Sequence, residues 1–507
     1  MLSKVYSATT MGLDGILIEV EVDVTNRGFP TFTIVGLPDK AVDEAKERVR
    51  AAIINAGFKM PDSRITVNLA PADIPKIGSG FDLPIAIGIL AAAGLIKQDK
   101  LNKSLFLGEL SLDGKIREVP GVLSVVLAAK KKNIDSIFLS LKNAFEASIV
   151  EGLTIYPILK LLDLILYLNG NINLSAQPHF NFNDVKVKEI FDFDFADIKG
   201  QVAAKRGLEI AAAGFHNLHL TGPPGAGKTM LSRAFPSILS PLEKEEILEV
   251  SKIYSVCGLL NNLSIINKRP FRSPHHTTSR IGLIGGGSTP TPGEISLAHR
   301  GVLFLDEFPE FPRSTLESLR QPLEDGMVVI SRASGSLTFP CQFILLAASN
   351  PCPCGYLGHP KKACRCSPSL VLKYKKRLSG PLLDRIDMHI EVPPVEEDKL
   401  VSDILSESSL KIKERVMKAY ERQKKRFKDT KIKNNGRMTP ADIKKFCHLN
   451  SHAHDLLKQA ISRFNLSARS YFKIIKISQT IADLQEKEKI EAVHIAEALQ
   501  FRLKEEV

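Results

Sequence analysis

The chain has 507 residues, of which 44% are hydrophobic and 24% are charged, and its formal net charge is +12. The length suggests about three domains, and the composition is typical of a globular protein and excludes a disordered chain. The basic balance suits a polyanionic partner.

The longest strongly apolar stretch, Leu83 to Ile96, lies between the charged residues Asp82 and Lys97. It is too short to cross a bilayer and predicts a buried helix. The first residues lack the apolar core of a signal peptide. We therefore expect a cytoplasmic protein with no membrane partner, whose seven cysteines are reduced or bound to metal.

Residues 1–168 are expected to form a first unit of mixed α/β structure. Residues 63–69 alternate apolar and polar side chains, which predicts a half-buried strand. Residues 38–56 predict a helix that Gly57 stops. Asp113-Gly114, between two alternating segments, is typical of a hairpin with a type I′ turn.

Residues 169–189 are rich in Asn, Ser, Pro and Lys and are interpreted as a linker. Residues 190–395 alternate helical patterns with apolar strands, which predicts a parallel sheet with nucleotide at its carboxyl edge. Residues 396–507 have the pattern of helices only. The strands expected in the second unit are Leu218–Leu220, Val302–Leu305, Phe343–Leu346 and His389–Val392.

The most specific motif follows the first of those strands and precedes a helix. It predicts a phosphate-binding loop, in which glycines let the backbone N–H groups face a triphosphate. Lys228 would reach the β/γ-phosphates, and the Thr229 hydroxyl would ligate Mg²⁺. The alternative is a purely structural glycine turn. The motif is Gly222-Pro223-Pro224-Gly225-Ala226-Gly227-Lys228-Thr229.

Two further strands of the second unit end in polar residues. Asp306 and Glu307 follow the strand Val302–Leu305, so Asp306 would hold Mg²⁺ and Glu307 would orient or deprotonate the attacking water. Asn350 follows the next strand and could position that water, although asparagine at a strand end is also a common turn former.

Phosphoryl transfer gains from a cation at the γ-phosphate, which a neighbouring subunit can supply. Arg385 and Arg469 are the candidates for such a role. The alternative for each is a surface ion pair.

Four cysteines lie within fifteen residues: Cys352, Cys354, Cys364 and Cys366. Four thiolates can enclose a tetrahedral Zn²⁺ ion, although the one-residue spacing within each pair is tighter than usual. His359 could replace one ligand. The alternative is a reduced, cysteine-rich loop that binds no metal.

Residues 411–437 contain twelve basic and three acidic residues. The segment could contact nucleic acid. It could equally be a solvated helix face followed by a loop.

These motifs together identify the chain as resembling the bacterial magnesium-chelatase-like AAA+ ATPases of the ComM/YifB type. The resemblance extends nearly from end to end. Its N-terminal part is similar to Lon-type protease domains, but glycine stands at the nucleophile position and the matching lysine is absent, so we expect no protease activity. The sequence motifs on which the resemblance rests are Gly36-Leu37-Pro38, Gly80-Phe81-Asp82-Leu83-Pro84, Pro270-Phe271-Arg272-Ser273-Pro274-His275-His276-Thr277, Gly285-Gly286-Gly287, Pro292-Gly293-Glu294 and Gly380-Pro381-Leu382-Leu383-Asp384-Arg385.

The resemblance implies a homo-hexameric ring with ATP between subunits. It assigns Arg385 as a trans-acting arginine finger, Asn350 as a first sensor and Arg469 as a second sensor, and it places Gln201 beside the adenine. Segments 270–294 and 328–339 would face a central pore, although glycine-rich surface loops are a plain alternative. The candidate DNA contacts are Arg280, Arg332, Lys375 and Lys376.

The resulting hypothesis is an ATP-driven DNA motor, a helicase or branch-migration translocase that acts in homologous recombination during natural transformation. It would use ATP, Mg²⁺ and Zn²⁺. The alternatives are the motor subunit of a metal chelatase and a protein-remodelling ATPase that binds no DNA. The chain lacks the Asp-x-Ser-x-Ser pattern of a chelatase partner with an integrin-like metal site.

Overall fold

A computed structural model describes residues 1–25, 29–181, 191–260, 265–287, 290–332, 335–395 and 406–503. The chain divides into two compact units. The first comprises Met1–Lys186 and Ile247–Ile266, and the second comprises Val187–Glu246 and Asn267–Val507.

The first unit is built on a seven-stranded mixed sheet of order β3-β4-β2-β1-β5-β8-β9. Strands β1, β2 and β4 pair antiparallel, whereas β3 with β4 and the series β1, β5, β8 and β9 pair parallel. The strands are β1 Leu2–Met11, β2 Asp14–Thr25, β3 Thr31–Val35, β4 Arg64–Ala70, β5 Ser104–Leu107, β6 Glu109–Leu110, β7 Ile116–Arg117, β8 Ser136–Ser140 and β9 Thr154–Ile158. The helices are α1 Lys40–Asp43, α2 Ala45–Asn55, α3 Asp82–Ala92, α4 Val122–Lys131, α5 Leu141–Ala147 and α6 Leu161–Leu168.

The buried helix predicted near Leu83 is α3, and every one of its residues is buried. The strand predicted at residues 63–69 is β4. The single helix predicted at residues 38–56 is instead two helices, because α1 ends at Asp43 and α2 begins at Ala45.

The type I′ turn predicted at Asp113-Gly114 is wrong. Strands β6 and β7 do pair antiparallel, but a type I′ turn needs a positive φ at both central residues, and only Gly114 has one, at +78°. The turn begins earlier, where the Gly114 N–H donates to the Ser111 carbonyl. A longer loop therefore joins the two strands.

Ser79 lies just before α3, but its side chain does not cap that helix. It begins a 3₁₀ turn, Ser79–Phe81, and its hydroxyl donates to the Glu109 carboxylate. The buried Lys76 ammonium donates instead to the Pro71 carbonyl. The side chains of Ser79 and Lys76 therefore have different hydrogen-bond partners.

Helix α9, Lys244–Val256, contains the boundary between the two units. Its C-terminal part belongs to the first unit, a placement that the sequence-based boundaries did not include. There the Ser255 hydroxyl donates to the buried Glu146 carboxylate, and the Gly121 N–H donates to the Ser255 carbonyl at 2.9 Å. Lys252 forms an ion pair of 2.9 Å with Asp14.

The second unit contains a five-stranded, all-parallel sheet of order β11-β14-β17-β10-β18. Strands β14 and β17 are buried at every position, as parallel strands covered on both faces must be. The four strands predicted for this unit are present as β10, β14, β17 and β18. The strands are β10 Leu218–Thr221, β11 Phe271–Arg272, β12 Gly285–Gly286, β13 Thr291–Pro292, β14 Val302–Leu305, β15 Met327–Arg332, β16 Gly335–Pro340, β17 Ile344–Ser349 and β18 Met388–Glu391.

The helices of this unit surround the sheet and then form a helical C-terminal region. Within the described residues 406–503 no strand is present, as predicted. The helices are α7 Val202–Gly214, α8 Lys228–Ala234, α10 Arg280–Ile284, α11 Glu294–Leu297, α12 Arg313–Glu317, α13 Arg320–Asp325, α14 Pro368–Lys375, α15 Gly380–Leu383, α16 Ser409–Arg426, α17 Pro440–Phe446, α18 Ser451–Phe464, α19 Ala468–Leu484 and α20 Ala492–Gln500.

Much of the basic segment 411–437 is neutralised within the chain. Arg426 donates to the fully buried Asp483, which also accepts from Asn435, so this part of the segment stabilises the helical region. The structure therefore favours the structural interpretation of this segment over a nucleic-acid contact. The cations that form ion pairs are Arg415, Lys418, Arg422, Lys424, Arg426 and Lys433.

No helix among the described residues is both long enough and apolar enough to span a membrane.

A buried ion pair in the first unit gives a stability prediction. Arg48 bonds the fully buried Asp82 carboxylate at 2.6 and 3.0 Å. Arg48→Ala leaves that carboxylate without its cation and should destabilise the unit by about 3 kcal/mol. Arg50→Ala removes an exposed arginine from the same helix and should have almost no effect. Hydrogen exchange of the α3 amides measures both; equal protection in the two variants would contradict the prediction.

Candidate nucleotide site

The candidate site lies where three neighbouring strands of the parallel sheet end. Strand β17 lies between β10 and β14, so the carboxyl ends of all three meet at one edge. The phosphate loop leaves β10, the acidic pair leaves β14, and Asn350 leaves β17. Glycines allow the loop to curl, since Gly225 and Gly227 have φ values of +77° and +89°.

The Lys228 ammonium is buried inside the phosphate loop. It donates to the carbonyls of Gly222 and Pro223 at 2.6 and 2.9 Å, and to Asn350 Oδ1 at 3.1 Å. Burial lowers the pKa of Lys228, and the nearby Asp306 carboxylate counters that effect. A triphosphate in the loop would offer this cation an anionic partner at hydrogen-bond distance.

Thr229 and Asp306 lie together although 77 positions separate them. Thr229 Oγ1 donates to Asp306 Oδ2 at 2.9 Å. A hydroxyl and a carboxylate oxygen are hard ligands of the kind that Mg²⁺ prefers. The donor set therefore fits that ion.

Glu307 has an unusual backbone conformation, with a φ of +50°. This left-handed conformation is strained in a residue with a side chain, and such strain often occurs at functional sites. Its side chain is 58% exposed, and Oε2 lies 3.2 Å from Nδ1 of His276. No motif in the sequence predicts a role for His276, because only the fold brings this side chain to the end of β14.

Gln201 lies at the start of α7 and reaches the phosphate loop. Its side-chain amide donates to the Ala226 carbonyl at 3.0 Å and to the Pro393 carbonyl at 2.7 Å. It therefore connects the loop to the chain just after β18.

The two candidate arginines meet at a single carboxylate. Arg385 and Arg469 bond Glu324 at 2.9 and 2.7 Å, and Arg469 also bonds Asp384 at 3.0 Å. Arg385 donates to the carbonyls of Pro381 and Arg320 as well. The structure thus brings these arginines to one another through Glu324, whereas Lys228, Thr229, Asp306 and Asn350 form a separate set of contacts.

The four cysteines predicted as zinc ligands do come together. Their sulfur atoms all lie within 4.8 Å of one another. Backbone hydrogen bonds from Tyr356 and Arg365 lower the pKa of the Cys354 thiol to about 6, which favours the thiolate that binds metal. His359 is not part of this cluster, and its Nδ1 accepts from the backbone of Lys361 and Lys362 at 3.0 Å.

A cavity of about 510 Å³ is lined by residues that follow the acidic pair Asp306-Glu307 in the sequence, and by residues of α14 and just after it. Its one carboxylate, Glu310, is bonded by Arg377, whereas Arg313, Lys373 and Lys376 have no anionic partner among the described residues. This cationic pocket is therefore electrostatically suited to an added anion. Its lining residues are Pro309, Glu310, Phe311, Pro312, Arg313, Lys373, Lys376 and Arg377.

The two segments expected at a pore are partly described. Arg280 is exposed at the start of α10, and strands β15 and β16 form the expected hairpin. Residues 288–289 and 333–334 lie outside the described residues, and so does the side chain of Arg332. Lys376 lines the cationic pocket.

Comparisons with known proteins agree with this geometry. Residues 194–400 match the family described as magnesium chelatase, subunit ChlI. Residues 20–143 match subunit ChlI of Mg-chelatase, and residues 406–502 match the ChlI C-terminal family.

Full-length relatives are similar over almost the whole chain. The competence protein ComM of Haemophilus influenzae is 45% identical over 503 residues, which cover 99% of this chain and 97% of ComM. YifB of Escherichia coli is 41% identical over 503 residues, which cover 99% of this chain and 97% of YifB. Lon protease 2 of Bacillus subtilis is 27% identical over 144 residues, which cover 25% of this chain and 26% of that protein. The chain therefore belongs to the magnesium-chelatase-like AAA+ family of the ComM/YifB type, a membership that implies ATPase activity.

Proposed function

We propose that this protein is an ATP-driven motor that assembles as a homo-hexameric ring and translocates on single-stranded or branched DNA, migrating branched recombination intermediates during natural transformation. The observation that carries the proposal is the convergence of Lys228, Thr229, Asp306 and Asn350 at one edge of a parallel sheet. The name of the relative ComM supports a role in competence.

The chemistry follows from these side chains. Backbone N–H groups of the phosphate loop and the Lys228 ammonium would bind the triphosphate. Thr229 and Asp306 would hold Mg²⁺, which supplies charge neutralisation at the phosphates. Glu307 would accept a proton from the attacking water, and Asn350 would orient that water.

A ring explains the separate position of Arg385 and Arg469. Both guanidinium groups bond Glu324 within the chain instead of the phosphate loop. In a ring of identical subunits, Arg385 would act on ATP bound by a neighbour, while Arg469 would report the nucleotide state of its own subunit.

A polyanionic partner is supported by the cationic pocket. Arg313, Lys373 and Lys376 line it, and none of them is paired with a carboxylate of the described residues. A backbone phosphate of DNA would neutralise them without any reading of bases, as expected for a motor that translocates along any sequence. Lys375, Arg280 and Arg332 are further candidate contacts.

The cysteine quartet would bind Zn²⁺. Four sulfur atoms within 4.8 Å of one another match the donor set and number that a structural zinc site requires.

A metal-chelatase motor is the second candidate, because the matching families are described as chelatase subunits. A remodelling ATPase that binds no DNA is the third candidate.

Measurements of ATP hydrolysis with and without DNA, together with the particle mass, distinguish these three candidates. We expect DNA to stimulate hydrolysis and the particle to have the mass of six chains; a monomer in the presence of ATP and DNA would overturn the ring.

The first prediction concerns turnover. Lys228→Ala should abolish ATP binding, because it removes the cation that faces the phosphates. Glu307→Gln should retain binding but lower kcat by about 10²–10⁴-fold, since it removes the proton acceptor. Nucleotide binding and phosphate release measure the two steps. Glu151→Gln, at an exposed position of the first unit, is the control and should leave hydrolysis unchanged. Wild-type hydrolysis by Glu307→Gln would reject the assignment.

The second prediction concerns His276, which contacts Glu307 at 3.2 Å. His276→Ala should change kcat several-fold with little change in KM, because it frees the side chain of Glu307 without altering the phosphate loop. His275→Ala is the control, since that ring bonds Thr277 instead at 2.9 Å. Equal kcat values for the two variants would exclude a positioning role for His276.

The third prediction concerns DNA. Lys373→Ala combined with Lys376→Ala should reduce the salt dependence of DNA binding, lowering the slope of log K against log[salt] by about two. Lys131→Ala combined with Lys132→Ala removes the same charge from exposed positions of the first unit and should leave the slope unchanged. If both pairs gave the same slope, DNA would not occupy this pocket.

A further inference from the structure

The loop that carries the four cysteines connects two functional parts of the second unit. It begins after Asn350, at the end of β17, and ends at α14, whose residues include Lys373 of the cationic pocket. The loop contains turns but no helix or strand. Cys352 and Cys354 lie near its beginning, and Cys364 and Cys366 near its end, so a metal bound to all four would fasten the two ends together.

The same loop packs directly on the phosphate loop. Gly355 follows Cys354 and has a φ of +82°. A Cβ atom at Gly355 would lie 2.5 Å from Cδ of Pro224 and 3.8 Å from Cγ of Asn350. The backbone beside Cys354 is therefore in close contact with the phosphate loop and with the side chain that bonds Lys228.

The helix that follows the loop contacts Asn350 as well. Tyr374, near the C-terminal end of α14, is buried, and that burial raises its pKa to about 12, while a backbone hydrogen bond from Asn350 opposes the increase. Asn350 is thus contacted by the cysteine loop through Gly355 and by α14 through Tyr374.

We propose that a metal ion in the cysteine quartet holds this loop against the phosphate loop and thereby sets the affinity of the chain for ATP. The inference rests on the proposed binding of zinc and ATP. Without the metal, no bond fastens the two ends of the loop together, and an irregular loop regains conformational entropy. Pro224 and Asn350 would then lose their packing partner, and Lys228 would lose the amide oxygen that positions it.

Two glycine substitutions test the contact without altering a cysteine. Gly355→Ala should push against Pro224 and raise the Kd for a fluorescent non-hydrolysable ATP analogue about tenfold, while zinc remains bound. Gly358→Ala is the matched control, because this glycine has a φ of +73° but no atom within 4 Å of its Cβ position. Both variants carry a similar backbone strain, so only the contact with the phosphate loop differs. Equal affinities in the two variants would overturn the proposal.

A second experiment tests the coupling through the metal itself. The zinc content of the full-length chain is measured by elemental analysis. Removal of zinc with a chelator should raise the Kd for the analogue to about the level of Gly355→Ala, and added zinc should restore it. A zinc-free chain that binds the analogue as tightly as before would overturn the coupling, although zinc binding and ATP binding would both stand. A wild-type chain that carries no zinc, or binds no analogue, would overturn those parent proposals and the coupling with them.

Discussion

The candidate site depends on one constraint, the parallel alignment of β10, β17 and β14 as neighbours in a single sheet. Parallel strands present their carboxyl ends at the same edge, so residues far apart in the chain meet there. Two hydrogen bonds result from this alignment, from Lys228 to Asn350 and from Thr229 to Asp306. A change of strand order would separate the phosphate loop from the acidic pair even if every motif were intact.

The same edge collects elements that the motifs alone do not connect. His276 reaches Glu307 from the segment after β11, and Gly355 packs on Pro224 from the loop after β17. The cationic pocket is formed by the residues that follow Glu307 together with α14. Each of these elements would move with the phosphate loop or with Glu307. An ion or a polyanion bound to one of them is thus positioned to influence ATP turnover.

Charge in the sequence and charge available to a partner differ in this chain. The basic segment 411–437 is the densest in lysine and arginine, yet Arg426 is bonded to the buried Asp483, and Arg415 to Glu209 and Glu407. Within the part of the chain that the structure describes, the cations of the pocket without an anionic partner are Arg313, Lys373 and Lys376. A cation can bind an external anion only where no carboxylate of the folded chain already neutralises it. The net charge of a segment does not show which of its cations meet this condition.

The fold class, the family and the strands of the second unit could be predicted from the sequence, because they depend on local patterns and on short motifs. The predictions of a phosphate loop and of a cysteine quartet have the same basis, since both motifs are visible along the chain. Other features emerge only from the folded chain: Arg385 and Arg469 share Glu324, the turn at Gly114 is not of type I′, and the end of α9 belongs to the first unit. The contact of His276 with Glu307 is another such feature. These features depend on contacts between residues distant in the chain, and no local pattern of side chains encodes such contacts.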